Sequence, residues 1–379
     1  MLIGIDASRA LSSQKAGPEN YSFYLISEML KLPSRHSFRL YFSKTFKPIE
    51  DNFLKNINRD KLEIVRINWP KLWTQGGLAL ECYRRPPAVL FIPAHTIPLI
   101  RAKSLKTVVT IHDLGARFLP NYHKFPQKYY LNLTTEYSIK NATKLIAVSS
   151  YTKKDIVQKF SVAESKIAVV YEGYDKEVYY PRSVREIHAA KEKFGLKGDY
   201  FFFQSTIQPR KNLVRLIEAF SLIVRKFNQR EIRLVLAGKP GWLYKEIYEA
   251  PEKYGVSQLV KFLGYLEDEN DSASLMSGAL AYVHPSLFEG FSITLLEAMA
   301  CSVPVISSKL SSIPEVGGEA LIYVDSYSVD DLVAKMTFVL EMGLFSRSEI
   351  TSKGLARAAQ FSWKEAASKT LKVLEATYD

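Results

Sequence analysis

The sequence predicts an α/β protein of two doubly wound domains, each a parallel sheet covered by helices, and three observations predict it. Short β-branched or aromatic runs alternate with amphipathic stretches of about 10–18 residues along the whole chain, the pattern of repeated βαβ units. The alternation breaks once, near the middle. The length, 379 residues, is too great for one ordinary domain and suits two of similar size.

In the first half, LIGID (2–6), FRLYF (38–42), KTVVTI (106–111) and KLIAV (144–148) read as strands. The segment YEGYDKEVYYPRSVREIHAAKEKFGLKGD (171–199) is polar and irregular. Regularity restarts with YFFFQ (200–204), a helix from Leu213, RLVLAG (233–238), KFLG (261–264) and ALAYVHP (279–285). Domains are therefore placed at 1–185 and 186–360. The final helix, 361–379, has its apolar residues at helical spacing, and could pack on either domain, including back across to the first. Ligands of such sheets bind beyond the carboxyl ends of the strands, so two domains facing across a cleft would offer one site on each wall.

Composition narrows the class. Hydrophobic residues make up 47% and charged residues 24%, the profile of a globular protein. No apolar run reaches the roughly 18 residues of a membrane span, and MLIGIDASRA lacks the basic flank and long apolar stretch of a signal peptide. Two cysteines, Cys82 and Cys301, argue against a disulfide framework or a Cys-based metal site, and make the cytoplasm the expected compartment. The net charge of +12 is uneven: residues 1–182 hold 28 Lys+Arg against 15 Asp+Glu, residues 183–379 hold 23 against 24. A basic half suits an anionic membrane, a lipid-linked phosphate or nucleic acid, and equally a solubilising surface. The aromatics of RINWPKLWTQGGLALECYRR (66–85) fit an interfacial patch or core packing. No motif that reads RNA or DNA is found, so nucleic acid is not an expected partner.

Two constellations carry chemistry. In Gln208-Pro209-Arg210-Lys211-Asn212, directly after YFFFQ, Asn212 is expected to be the N-cap of a helix with Leu213, Leu216, Ile217, Phe220 and Val224 on one face. Arg210 and Lys211 then stand at a strand's carboxyl end beside a helix N-terminus, where a diphosphate would be held. As a bare dipeptide they are equally a solvated pair. In Phe288-Glu289-Gly290-Phe291-Ser292-Ile293-Thr294-Leu295-Leu296-Glu297, Gly290 permits close backbone approach. Ser292 is the expected N-cap, and the following amides are available to an anion. Glu289 and Glu297 could accept from sugar hydroxyls, or could simply be a dipole partner and a solvated helix residue. His112-Asp113 could be a structural pair capping its loop, and His95 also follows an apolar run. No metal-ligand spacing is present.

Glu289 and Glu297, with seven residues between them, resemble the E-x7-E motif of the retaining family 4 glycosyltransferases of GT-B fold. The surrounding HPSLFEGFSITLLEAMACSVPVISS, TIQPRKNLVRLIEAF, LVLAGKPGW, VKFLGYLEDE and SSIPEVGGEALIYVD are similar to that family, as are VVTIHDLGARFLP and KLIAVSSYTKKDIVQKF in the first half. The resemblance implies two Rossmann-like domains, the first for the acceptor and the second for the donor. It implies catalytic roles for His112, Arg210, Lys211 and Glu289: the cations on the donor diphosphate, Glu289 on the transferred sugar, His112 facing that sugar. Gly17, Ser205, Gly238, Lys239, Leu263, Gly264, Gly290, Phe291, Ser292, Ile293 and Glu297 would form the rest of the donor site, with Glu297 on the ribose. The chain departs from the family at Ser205, Ala16, Ser292 and Ser302, where glycines are usual.

The implied function is transfer of a hexose, of mannose or glucose type, with retention, from a GDP- or UDP-linked donor to a glycan or lipid-linked acceptor in surface polysaccharide or glycolipid synthesis. No cofactor or metal is implied, the nucleotide-sugar being a substrate. Contact with an anionic membrane, at its inner face, is an expectation. The alternatives are another GT-B sugar-nucleotide enzyme, a 2-epimerase or phosphorylase, or a non-catalytic nucleotide-sugar-binding homologue.

Overall fold

Among the described residues, thirteen strands form two all-parallel sheets. The computed structural model describes residues 1–12, 14–43, 53–54, 57, 59–69, 72–115 and 127–378, with backbone only for 127–131. The part of VVTIHDLGARFLP after Gly115 lies outside the described residues.

The first sheet comprises β1 (Leu2–Asp6), β2 (Ser37–Ser43), β3 (Leu62–Ile67), β4 (Val89–Ile92), β5 (Lys106–Ile111), β6 (Lys144–Ala147) and β7 (Ile167–Val169), in the order β3-β2-β1-β4-β5-β6-β7. The second comprises β8 (Asp199–Gln204), β9 (Ile232–Ala237), β10 (Val260–Gly264), β11 (Ala281–His284), β12 (Val305–Ser308) and β13 (Ile322–Val324), in the order β10-β9-β8-β11-β12-β13. Each order runs outward from the unit's first strand in both directions. The chain therefore reverses its winding between β1 and β4 and between β8 and β11, leaving a crevice at the carboxyl ends of those strands. Central strands are covered on both faces: Phe201, Phe202 and Phe203 of β8 are all fully buried, which is why that run reads as continuous rather than alternating.

Contacts divide the chain into two units, one of residues 1–115, 127–173 and 362–378, the other Tyr174–Phe361. The division falls between Gly173 and Tyr174, earlier in the chain than the 185/186 boundary expected from the sequence. Arg182 explains why: its backbone N–H donates to Ser277 Oγ at 3.2 Å and its guanidinium to Asn270 Oδ1 at 2.9 Å, tying the irregular stretch to the second unit. The final helix, Trp363–Tyr378, belongs to the first unit. His36 Nε2 lies 2.7 Å from Glu375 Oε1, and the Trp363 indole stacks on Tyr24 with ring centroids 5.8 Å apart.

In the second unit, the helix Leu213–Lys226 buries Leu213, Leu216, Ile217, Phe220 and Ile223 against the sheet, with Val224 packed at the margin. Each fully buried side chain of this kind is worth about 1.5–3 kcal/mol. That face fixes the helix's rotation, and with it the direction in which the preceding loop, Pro209–Asn212, points.

Candidate functional site

Both sequence constellations lie where the winding of the second sheet reverses. Arg210 and Lys211 follow β8, and Glu289 follows β11, its neighbour. The two loops are joined directly. Lys211 Nζ donates to Glu289 Oε1 at 2.5 Å, with both side chains buried. Arg210 Nη1 donates to the Phe288 carbonyl at 3.0 Å and stands 3.5 Å from Glu289 Oε2. The Leu287 N–H donates to the Arg210 carbonyl at 2.9 Å. Ser311 and Ser312 clamp the carboxylate's own backbone: the Glu289 N–H donates to Ser311 Oγ at 2.8 Å, and Ser312 Oγ donates to the Glu289 carbonyl at 2.9 Å.

Burial by itself would raise the Glu289 carboxyl, but Lys211, then Arg210 and the His284 bond, outweigh it and hold the group well below the usual carboxylate range. Glu297 is the opposite case. It lies on the buried face of the helix Ile293–Ala300, and burial, reinforced by the nearby charges of Glu269 and Asp175, pushes its carboxyl well above the usual range. Two carboxyls with seven residues between them are thus pushed in opposite directions, Glu289 toward its ionised, accepting form and Glu297 toward its neutral form.

Two capping expectations need correction. Asn212 occupies the N-cap position with φ 63° and makes no side-chain cap; its amide donates instead to the carbonyls of Pro285 (3.3 Å) and Ser326 (2.7 Å), bridging the loops after β11 and β13. Ser292, with φ 77°, also makes no side-chain cap, and its hydroxyl is 3.2 Å from His284 Nε2. In both cases a stronger tertiary partner wins the side chain from the local amide.

Ser205, Gly238 and Gly264 close the carboxyl ends of β8, β9 and β10. The Ser205 N–H donates to the Ala237 carbonyl at 3.1 Å and the Gly238 N–H to the Gly264 carbonyl at 2.7 Å. A Cβ on Gly238, at φ 140°, would sit 1.8 Å from the Ser205 carbonyl oxygen, so glycine is required there by backbone contact alone. The Lys239 carbonyl accepts from the Ile207 N–H at 2.9 Å. Leu263 sits where β10 shifts register against β9. The Phe291 ring turns inward onto Phe361, and Ile293 is buried at the start of its helix.

In the first unit, Gly17 begins the helix Gly17–Lys31, and a Cβ there would meet no heavy atom within 4 Å. The fold therefore does not require glycine at 17. Gly17→Ala is expected to leave the melting temperature unchanged while weakening activity; unchanged kinetics in that variant would remove Gly17 from the site. His112 follows β5 and is buried. Its Nε2–H donates to the Pro93 carbonyl at 2.8 Å and its Nδ1 lies 3.3 Å from Glu172 Oε1. The sequence neighbour Asp113 accepts from the Gly115 N–H at 2.9 Å, within its own loop. Burial raises the Glu172 carboxyl. His95, 5.4 Å from His112 ring to ring, is pushed down to about 3 by burial and then by His112.

Comparison with known proteins decides the family. The description Glycosyl transferases group 1 matches residues 184–356, and Glycosyltransferase Family 4 matches residues 17–178. The chain is 31% identical over 267 residues to O-antigen chain mannosyltransferase B of Escherichia coli, covering 70% of this chain and 69% of that one. It belongs to glycosyltransferase family 4. Serotype-specific mannosyltransferase WbdA of Escherichia coli is 32% identical over 288 residues, 73% of this chain but 33% of that much longer relative. The Anabaena HepE structure, determined with UDP-glucose, superposes with a TM-score of 0.74 at 17% identity over 99% of both chains. The two parallel sheets of this glycosyltransferase are those of the GT-B class, and the enzyme is a hexosyltransferase.

Two partners of the site escaped the sequence reading. His284 and Glu172 both stood within quoted segments, but nothing in their local spacing indicated which side chains they would meet. The turn after β11 folds Glu289 back onto His284, and the return of the chain after β7 brings Glu172 to His112.

Proposed function

We propose that this glycosyltransferase moves mannose from GDP-mannose, with retention of configuration, onto a glycan or lipid-linked acceptor of a surface polysaccharide. The observation that carries the donor-site reading is the convergence of Arg210, Lys211 and Glu289 where the second sheet reverses its winding. The mannosyltransferase relatives support the sugar; HepE, with UDP-glucose, keeps a UDP-linked donor among the outcomes.

In this reading the second unit holds the donor. Arg210, Lys211 and the amides at the mouth of Ile293–Ala300 neutralise the diphosphate as its bond to the anomeric carbon breaks. Glu289, locked as a carboxylate, accepts from a hydroxyl of the transferred sugar, and Glu297 meets the ribose. The acceptor hydroxyl forms the new bond on the face the phosphate leaves, and its proton passes to the departing phosphate oxygen, so no separate side-chain base is needed. The cations and amides of the chain supply the electrostatic stabilisation. His112 is assigned to the transferred sugar and Gly17 to the donor diphosphate.

A thermal-shift screen with GDP, UDP, GDP-mannose and UDP-glucose tests the donor, because specific binding stabilises the fold by mass action. GDP and GDP-mannose are expected to stand out. Stabilisation by no nucleotide, or consumption of donor without a glycosylated product, would overturn the proposal.

The acceptor reading extends to a membrane surface. No helix among the described residues is long and apolar enough to cross a bilayer. In the first unit, Leu72, Tyr83, Leu99 and Ile100 are exposed, and Gln75, bonded to the Ile97 carbonyl and the Leu99 N–H, joins the segment of Leu99 and Ile100 to the turn that carries Leu72. Arg84, Arg85, Arg101 and Lys103 lie in the same segments. Each basic residue near an anionic surface contributes about 1 kcal/mol. Sedimentation with anionic vesicles is expected to fall as salt rises, and to fall in Tyr83→Ser/Ile100→Ser. Binding indifferent to lipid charge and salt would exclude it.

A further inference from the structure

The imidazole of His284, at the end of β11, has no part in the chemistry above, yet it is built into the same centre. It is fully buried, stacked between Phe203 and Tyr282 with centroids 5.9 Å away on each side. Its Nε2 lies 3.1 Å from Glu289 Oε1, 3.0 Å from Ser286 Oγ and 3.2 Å from Ser292 Oγ. Its Nδ1 is 3.5 Å from the Tyr282 hydroxyl, which itself donates to the Gln204 carbonyl at 2.8 Å. The charged and titratable groups facing the ring are Glu289, Lys211, Arg210 and Tyr282.

The proton's place follows from these partners. Lys211 and Arg210 keep Glu289 ionised, so its oxygens only accept. The nitrogen facing Oε1 must therefore carry the hydrogen. Burial, opposed by Glu289 and assisted by Lys211 and Arg210, keeps the ring below the ordinary histidine range, hence neutral with a single N–H. Oε1 then receives both His284 and Lys211, while the contact made by Oε2 is the 3.5 Å approach of Arg210. The second oxygen is the one left to accept from a ligand.

We propose that His284 is a positioning residue for sugar transfer: its Nε2–H holds Oε1 of Glu289 so that Oε2 faces the transferred sugar, with the oxygens of Ser286 and Ser292 lining the same nitrogen at the mouth of the helix Ile293–Ala300. The proposal rests on the reading of Glu289 as the group that holds the sugar. It also accounts for serine at 292. A non-glycine residue in the left-handed region costs about 1–2 kcal/mol, and the hydroxyl, which glycine lacks, adds an oxygen 3.2 Å from the same Nε2–H.

The test compares His284→Leu, which removes the donor, with His284→Gln, whose amide N–H can reach the same oxygen. GDP and GDP-mannose binding are measured by calorimetry, with UDP and UDP-glucose as the second pair, alongside kcat and KM. His284→Leu is expected to bind the free nucleotide like the parent, to lose the extra affinity conferred by the sugar, and to fall about 10–100-fold in kcat, the worth of one hydrogen bond to a charged group. His284→Gln should recover most of that loss. Parent-like kcat and sugar affinity in His284→Leu would overturn the proposal, as would equal loss of free-nucleotide binding in both variants, which marks a packing role. The ring's ¹⁵N shifts in the unliganded parent give an answer independent of any donor: the Nε2–H tautomer is expected, and the Nδ1–H tautomer would refute the assignment. A parent that binds neither nucleotide pair contradicts the donor reading, and the tautomer still decides the role of His284.

Discussion

Lys211→Met is expected to lower stability by about 3–5 kcal/mol, because it strands Glu289 as a buried carboxylate without its nearest counter-charge. Turnover is expected to fall by about 10²–10³, the usual cost of removing one donor that stabilises developing charge. Lys211→Ala and Glu289→Ala each break the same buried ion pair. A loss of activity in either single variant could then reflect unfolding alone. The double variant Lys211→Met/Glu289→Gln separates the two effects. It removes both charges at nearly constant volume, so it should regain most of the lost stability and none of the activity. Urea unfolding and turnover measured on the same samples check both halves. A double variant as unstable as the single one, or one that transfers sugar normally, would contradict the account. Arg210, 3.5 Å from the other oxygen, softens the loss and places the single variant toward the lower end of the range.

Glu297→Gln is expected to act in the other direction on the fold. A carboxyl whose folded pKa is raised contributes stability that is fully present below its unfolded value, about 4.3, and is lost as pH rises through the folded value. Glu297 is raised, so its ionisation weakens the native state on the neutral side. Glutamine keeps the shape and cannot ionise, so it adds no charge beside Glu269 and Asp175. Removing that penalty should stabilise the protein at pH 7 by about 1–3 kcal/mol, the scale for a poorly compensated buried polar group. It should also flatten the dependence of stability on pH above about 4.3. Glu289, whose pKa is depressed, contributes stability above its unfolded value and loses it only in strong acid, so it leaves this window flat. Chemical unfolding across pH 4–8 in both proteins measures the difference, and identical curves would remove the raised carboxyl from the account. Donor affinity in Glu297→Gln should fall if the carboxyl meets the ribose, giving a more stable but poorer enzyme.

The parts of the fold legible in the sequence are those written in local periodicity. The runs LIGID, KTVVTI and YFFFQ announced β1, β5 and β8, because fully covered parallel strands must be apolar on both faces. The apolar stripe from Leu213 announced its helix. Elements such as β7 and β13, three residues each, carry too little pattern to stand out; their existence depends on a neighbour already in place. The caps expected of Asn212 and Ser292 were read from residue type, and a propensity worth about 1 kcal/mol yielded to tertiary partners.

By itself the sequence determined the class of chemistry: two alternating α/β halves, cations after β8, and paired glutamates around the turn after β11. Those features depend on residue type and spacing, which the chain states directly. Only the tertiary structure decided what each group is. Glu289 and Glu297 are the same residue on the same loop-and-helix segment, yet one is held ionised by Lys211 and the other pushed toward its neutral form by burial beside two further carboxylates. Lys211 is 78 positions from the carboxylate that it neutralises. Charge state is set by neighbours in space and by exclusion of water, and neither is recorded in the order of residues along the chain.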